Sequence, residues 1–378
     1  MATTYFPNSE QFDLMNAHLA SIASAIAVGG DFDTFEGMQR AVRAGIAPNI
    51  FTVGSQFTVP HSVYGNLVCE VVAYDYLKSI HDQNAHTMTC KTKVLFPTIQ
   101  FDAPEAFYAT DELLPAGTYH FSLSANYSSW LAGTYQFTLT SPVPKGGQLC
   151  FDRYSADKNF PELKVVSYAS PSSTTPIETV DITEGDGGTN LGDFGNTLNS
   201  APRTAQGSNN YKESALRQLL NSSAAAGEVW TPQTKFDRPP SWANSEAGFV
   251  AGLGADFLAV VGAVNLPCVA SSQYESPDSA VVANTSYVLK DRFYLPSQNE
   301  VYGEKTTSAD KSVLLPYYEG ATDADRIAYT SAGVPGTACL RTPNPSTSHS
   351  VRFRRADGTM SGNNGRTLVG YEVMFTIV

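Results

Sequence analysis

Side chains that could do chemistry are sparse and scattered in this sequence. Its six histidines, His18, His61, His81, His86, His120 and His349, form no His-Glu-x-x-His or His-x-His pattern, and a metalloenzyme needs such spacing to bring ligands onto one ion. His81 and His86 stand five apart, but the Asp-Gln-Asn-Ala between them reads as a loop and the pair as solvated. Cys69, Cys90, Cys150, Cys268 and Cys339 are odd in number and far apart, with no Cys-x-x-Cys. They suit neither a zinc site nor a disulfide framework and are expected to be buried free thiols. No Gly-x-Ser-x-Gly elbow and no phosphate-cradling Gly-x-x-x-x-Gly-Lys-[Ser/Thr] loop occurs. The run DITEGDGG, Asp181 to Gly188, gathers oxygen donors but lacks calcium-loop spacing and reads as a solvated turn. No catalytic residue, metal or cofactor is therefore expected.

One tract is different. Residues 340 to 378 carry five arginines, Arg341, Arg352, Arg354, Arg355 and Arg366, against Asp357 and Glu372, a locally positive stretch on a chain of net charge -12. Forked guanidinium groups suit carboxylates, phosphates or sulfates, and arginine and tyrosine carry much of the energy at interfaces. That is recognition chemistry rather than turnover. The candidate ligand-binding residues are Ala338, Cys339, Ser346, Ser348, His349, Ser350, Phe353, Arg354, Arg355, Ser361, Asn363, Asn364, Arg366, Tyr371 and Glu372.

Strands must position them. Val351 and Phe353, then Val369, Tyr371, Val373, Phe375 and Ile377, alternate with polar residues, the period of a strand with one face in a core. Upstream, AGTYHFSL at 116 to 123 returns as AGTYQFTL at 132 to 139, which predicts a hairpin of two amphipathic strands whose loop holds Trp130. Short strands are expected from Phe51 to Ile99, making a small antiparallel sandwich that either binds sugar or spaces the C-terminus. Phe12, Met15, Leu19, Ile22 and Ile26 mark an a/d seam. It belongs either to a short coiled coil of several copies, with three the expected number, or to a helix packed on its own domain. A second helix is expected over Thr34 to Ala44 and a third over Lys212 to Ser223. Residues 152 to 208, rich in Ser, Thr, Pro and Gly, read as a linker, with Val180 and Ile182 in a strand entering the last domain.

The chain is 42 % hydrophobic and only 16 % charged, with 29 Gly and 22 Pro, which suits a mainly β protein with some α. Its acidity argues against a nucleic-acid partner. The most apolar run, Phe249 to Leu266, is interrupted by Gly252, Gly254, Asp256 and Gly262, so no membrane insertion is expected, and no signal peptide is read at the N-terminus. The divisions expected are an N-terminal helical oligomerisation or attachment region, 1–47, a β-sandwich, 48–154, and a ligand-binding domain, 155–378.

Three tracts carry a resemblance. Cys339-Leu340-Arg341-Thr342-Pro343, then Val351-Arg352, Asp357-Gly358 and the apolar Val373 to Val378 form the first. The second is Tyr211, Ser214, Leu216, Arg217, Leu220, Asn221, Ser222, Trp230, Phe236 and Asp237. The third is Phe293, Leu295, Ser297, Glu300, Val301 and Gly303. In this order they resemble the C-type-lectin-like domain, related to formylglycine-generating enzymes, that ends many phage and prophage proteins of gut bacteria. In some members a diversity-generating retroelement rewrites the last segment. The resemblance covers about residues 155 to 378 and implies a C-type-lectin-like α+β domain. The implied function is a receptor-binding or adhesion protein at a virion tail tip or fibre, made in a bacterial cytoplasm. Its implied partners are a bacterial surface protein or glycan, other tail proteins and further copies of itself, a trimer. The alternatives are a virion decoration or spacer protein and a fixed carbohydrate-binding adhesin. The chain departs from the family where Leu219 replaces the usual Trp and where Ala338 and Cys339 replace Trp-Trp. It departs again at His349, Ser350, Phe353, Arg354 and Arg355, where Tyr or Asn is frequent; Asn and Tyr codons are adenine-rich, so adenine-directed rewriting would change these places. The paired cysteines of the oxidase relatives and the Glu-Pro-Asn calcium motif of true lectins are missing from this segment, where only Cys339 and Pro343-Asn344-Pro345 stand.

Overall fold

The computed structural model describes residue 16 and residues 32–83, 85–153, 159–271, 273 and 283–378. The a/d segment from residue 9 to 28, and with it the expected trimer contact, lies outside the described residues except for Asn16.

The protein is mainly β with some α. Its spine is a long antiparallel ribbon. Met88–Thr92 and Val94–Gln100 follow each other with only Lys93 between, as Leu368–Tyr371 and Met374–Ile377 follow each other near the C-terminus. Met88 lies opposite Ile377, Phe96 opposite Tyr371 and Gln100 opposite Leu368. One end of this ribbon is built into a five-stranded sheet with Gln56–His61, Gly65–Tyr74 and Phe293–Tyr294. The other end lies in a seven-stranded sheet with Ala328–Thr330, Pro335–Gly336, Ala338–Pro343, Ser350–Arg354 and the edge strand Met360–Asn364. A single apolar core joins the two sheets, and Phe96 stacks on Tyr371 inside it with ring centroids 5.1 Å apart.

Helices cover this body. Thr34 caps Phe35–Arg43, its hydroxyl accepting from the Gly37 N–H at 3.1 Å, as Thr caps do. Met38, Ala41 and Val42 then enter the core, and Phe35 meets Phe257 edge-on at 5.1 Å. The helix expected after Lys212 spans Ala215–Asn221, capped by Ser214, and buries Ala215, Leu216, Leu219 and Leu220. Residues 35–43 thus pack on the same body as the C-terminus instead of forming a separate attachment region.

The repeat does form a hairpin, Gly117–Leu123 paired with Gly133–Leu139 and Gly117 opposite Leu139. Two four-stranded sheets enclose a second core running from Phe107 to Ala205, the last two members, Ala201 and Ala205, lying on the helix Ala201–Gln206. Trp130 is fully buried there, edge-on to Phe151 and Phe160 at 5.0 and 4.9 Å, so its ring is not offered to a sugar.

The divisions expected from the sequence move accordingly. Strands from Gln56 to Gln100 belong to the C-terminal body, not to the sandwich. The supposed linker contributes Lys164–Tyr168, Glu178–Asp181, Thr183–Glu184 and Thr189–Asp193 to the sandwich sheets, so Val180 and Ile182 do not enter the last domain. The sandwich is an insertion between two parts of one body. Pairing partners far apart in the chain leave no mark on local periodicity, and for that reason the two strand sets read as one run.

Candidate ligand-binding face

The motif residues of the C-terminal body are mostly structural. Ser297 and Glu300 form a reciprocal capping box on Gln298–Tyr302, and Gly303 ends the helix in the left-handed region at φ 71°. Glu300 is fully buried and also takes Arg341, whose Nη1 donates to Oε2 at 2.6 Å and whose Nη2 donates to Oε1. The Tyr76 hydroxyl donates to the same carboxylate at 2.5 Å. The serine-to-glutamate tract and the Leu-Arg tract are thus two halves of one buried ion pair.

Of the candidate residues, Ala338, Cys339, Phe353, Arg354, Tyr371 and Glu372 are buried, each 1 % exposed or less, and Ser348 and Ser350 are buried as well. They are corrected from surface to interior. Arg354 donates through Nη2 to Glu372 at 2.5 Å and through Nη1 to the Tyr318 hydroxyl at 3.2 Å. Lys91 extends the chain from Glu372 to Glu70 at 3.4 and 3.2 Å. Burial opposes ionisation of Glu372, but Arg354 and Lys91 outweigh it and hold the carboxyl below its usual range. Alternation placed Arg354 on an outer face. Ser350–Arg354 is instead covered on both faces, with only Arg352 half-buried.

Arg355 lies in the turn that joins Ser350–Arg354 to Met360–Asn364, and the other remaining candidates lie along that edge strand or at its opposite end. Asn363, Ser361 and Asn364 lie on the edge strand, and Ser346 and His349 lie in the loop beside it. Ser346, Arg355 and Asn363 are exposed; His349, Ser361, Asn364 and Arg366 are half-buried. A continuous support holds both loops. Asn209 donates through Nδ2 to the carbonyls of Thr347 and Ser350 at 2.7 and 3.0 Å, and its N–H donates to Ser348 at 3.0 Å. The Arg366 N–H reaches the Gln206 carbonyl at 2.9 Å. A side chain at Gly365 would come within 2.5 Å of the Ser208 carbonyl, so only glycine fits this approach.

The sandwich reaches the same face. Its Tyr127 hydroxyl meets His349 Nε2 at 3.0 Å, with the rings edge-on at 5.2 Å. Burial pushes His349 down to about 4, so the ring is neutral at neutral pH and shares one hydrogen bond with the tyrosine hydroxyl. Under the loops lies a buried polar knot. Arg203 donates to Glu105 at 2.7 and 2.9 Å and to Glu213 at 2.8 Å, and the Ser208 hydroxyl donates to Glu213 at 2.9 Å. Asp102 and Asp237 crowd the same arginine. Burial, then Asp237 and the two glutamates, push Asp102 well above the carboxylate range; burial lifts Glu105 to about 8 against the pull of Arg203.

Arg352 is the residue that reading the family frame missed. Its guanidinium is half-buried, its Nε has no hydrogen-bond partner, and burial disfavours its charge while Glu304 partly restores it. The face therefore offers hydroxyls, amides and guanidinium groups on a rigid frame, a set able to hold an anionic or polyhydroxyl ligand by hydrogen bonds. Among the described residues no group of three or more His, Cys, Asp or Glu is placed to hold a metal ion, and all five cysteines are buried free thiols. No helix among them is long and apolar enough to cross a membrane.

A family model described as a domain of unknown function (DUF6273) matches residues 193–377. No curated protein and no solved structure matches the chain. The matched segment includes the edge strand, both loops and the last ribbon strand, but not Met88–Gln100, with which that strand pairs.

Proposed function

We propose that the protein is a phage or prophage receptor-binding protein whose C-terminal body, a C-type-lectin-like scaffold, displays a ligand-binding face toward a bacterial surface protein or glycan. The observation that carries this reading is the contrast within residues 338–372. Frame positions are buried and ion-paired, while Asn363 on the edge strand, Ser346 in the loop held by Asn209 and Arg355 in the turn at the other end of that hairpin are exposed. Loops on a rigid frame can change sequence at little cost in stability. A retroelement acting here would alter these positions freely, but at Ala338, Cys339 or Phe353 only within the limits of packing. Several copies, joined through the segment before residue 32 as a trimer on a tail tip or fibre, would hold a particle through weak single contacts.

The test is binding of the purified full chain to cells of candidate host strains, compared with the triple variant Ser346→Ala, Arg355→Ala, Asn363→Ala. Binding should fall at least about tenfold, the scale of one or two lost interface contacts, while the melting temperature stays within about 2 °C, as for surface changes. Equal binding by the variant, or no discrimination among strains by the parent, would favour a spacer or decoration protein.

A further inference from the structure

A second concave site lies beside the ribbon, and none of the exposed residues of the proposed receptor face lines it. It is a cleft of about 510 Å³ between the Ser62–Tyr64 turn, the outer half of Val94–Gln100, residues 241–246 and the Leu368–Tyr371 strand. Its rim is apolar. Val63 is 64 % and Leu368 57 % exposed, two of the most exposed large apolar side chains among the described residues. Its floor is aromatic, with Tyr64 packed edge-on to Phe96 at 4.9 Å and Phe96 stacked on Tyr371 at 5.1 Å.

Glu246 is the one ionisable carboxylate in the lining; the other polar side chains there are hydroxyls and the Trp242 indole. Tyr64, Tyr371 and Glu246 line the cleft together, and burial pushes both tyrosine hydroxyls up, with Glu246 adding to the rise. Glu246 has no ion pair among the described residues. Several donors are already used: the Trp242 indole N–H goes to the Gln100 carbonyl at 3.3 Å, the Ser241 N–H to the Gln100 side chain at 2.9 Å, and the Ser245 hydroxyl to the Trp242 carbonyl at 3.1 Å, while the Thr98 and Ser241 hydroxyls stay exposed at the rim. No lysine, arginine or histidine lines the cleft. A primary ammonium or guanidinium brings a positive charge and only donors, the complement of an unpaired carboxylate. Aromatic faces attract such a cation, and an apolar rim suits the alkyl stem that carries it.

We infer that this cleft binds the cationic end of an alkyl chain, the ammonium or guanidinium of a lysine or arginine side chain, with Glu246 as counter-ion and Tyr64 and Tyr371 beneath it. The volume is of the size that holds a small ligand or an extended side chain with its backbone.

Saturation-transfer NMR on the full chain tests this with N-acetyl-lysine N-methylamide, its arginine counterpart and the uncharged norleucine counterpart. Lysine and arginine probes should give signals strongest at the chain end. The signal should be about fivefold or more weaker with norleucine and with Glu246→Gln, the scale of one charge-assisted contact. The melting temperature of Glu246→Gln should equal that of the parent. A lysine tripeptide that binds more tightly than n-butylammonium identifies a peptide as the source of the cation, and equal binding identifies a free amine. Equal signals from norleucine and lysine, an unchanged Glu246→Gln, or saturation by N-acetylglucosamine without any cation response would overturn the inference.

Discussion

The two cores of this protein are stabilised in different ways. Between Phe107 and Phe194 no described charged side chain is buried, and the interior is a mesh of Phe107, Phe121, Trp130, Phe137, Phe151 and Phe160 with ring centroids mostly 4.5 to 6.4 Å apart. The C-terminal body instead buries Glu300 with Arg341, Arg354 with Glu372 and Lys91, and Arg203 with Glu105 and Glu213. Apolar contacts are non-directional and tolerate repacking, whereas a buried ion pair is favourable only in one geometry. The sandwich suits a spacer. The body suits a frame that must hold its loops in one place.

The sharpest way to break this contrast is to replace one group in each core by a near isostere. Glu300→Gln should cost most of the roughly 3–5 kcal/mol that follows from leaving Arg341 buried and uncompensated. Trp130→Phe, a larger change in volume, should cost only about 1–3 kcal/mol, because an aromatic ring still fills the site. Urea unfolding of both variants measures the difference, and equal losses would mean that the two cores are not different in kind.

Neighbouring arginines sharpen the same point within the candidate site. Arg354→Ala should destabilise the body by about 3 kcal/mol, since it leaves the buried Glu372 with only the longer Lys91 contact and empties a buried site. Arg355→Ala, one residue on and exposed, should move stability by no more than about 0.5 kcal/mol and act on binding alone. Thermal melts read with cell binding separate the two, and a stable Arg354→Ala would return that residue to the surface.

The smallest effect is on pH. Asp102, Asp237 and Glu105 are held above their unfolded values, Asp237 at about 6 and Glu105 at about 8, burial being the first cause for each. Such groups add stability in full below their unfolded pKa and lose it as pH rises through the folded values. The body should therefore melt progressively lower between about pH 5 and 9, with the slope reduced in Asp102→Asn. Glu372, held low, works in the opposite sense, and its contribution is lost only as pH falls below the usual carboxylate range. The sandwich core, without buried charge, should show little of either trend in hydrogen exchange of its hairpin amides.

Much of the local structure was legible in the sequence. The doubled Ala-Gly-Thr-Tyr tract marked the hairpin, and helices form within the two expected spans, Phe35–Arg43 and Ala215–Asn221. The candidate site was legible only in part. Alternation predicts one covered face, so it put Arg354 and Glu372 outside, while Tyr318 and the buried Glu372 meet Arg354 on the second face.

Residue order alone determined the types of many elements, the absence of cysteine-pair spacing and the polar character of residues 344–366, because these depend on residues a few positions apart. Tertiary structure alone decided that Met88–Gln100 closes against Leu368–Ile377, that the sandwich is an insertion, and that Tyr127 meets His349. It also decided which arginines face solvent. The reason is common to all four: each depends on partners that lie far apart along the chain, and a pattern of period two or 3.6 says that a face is covered without saying by what.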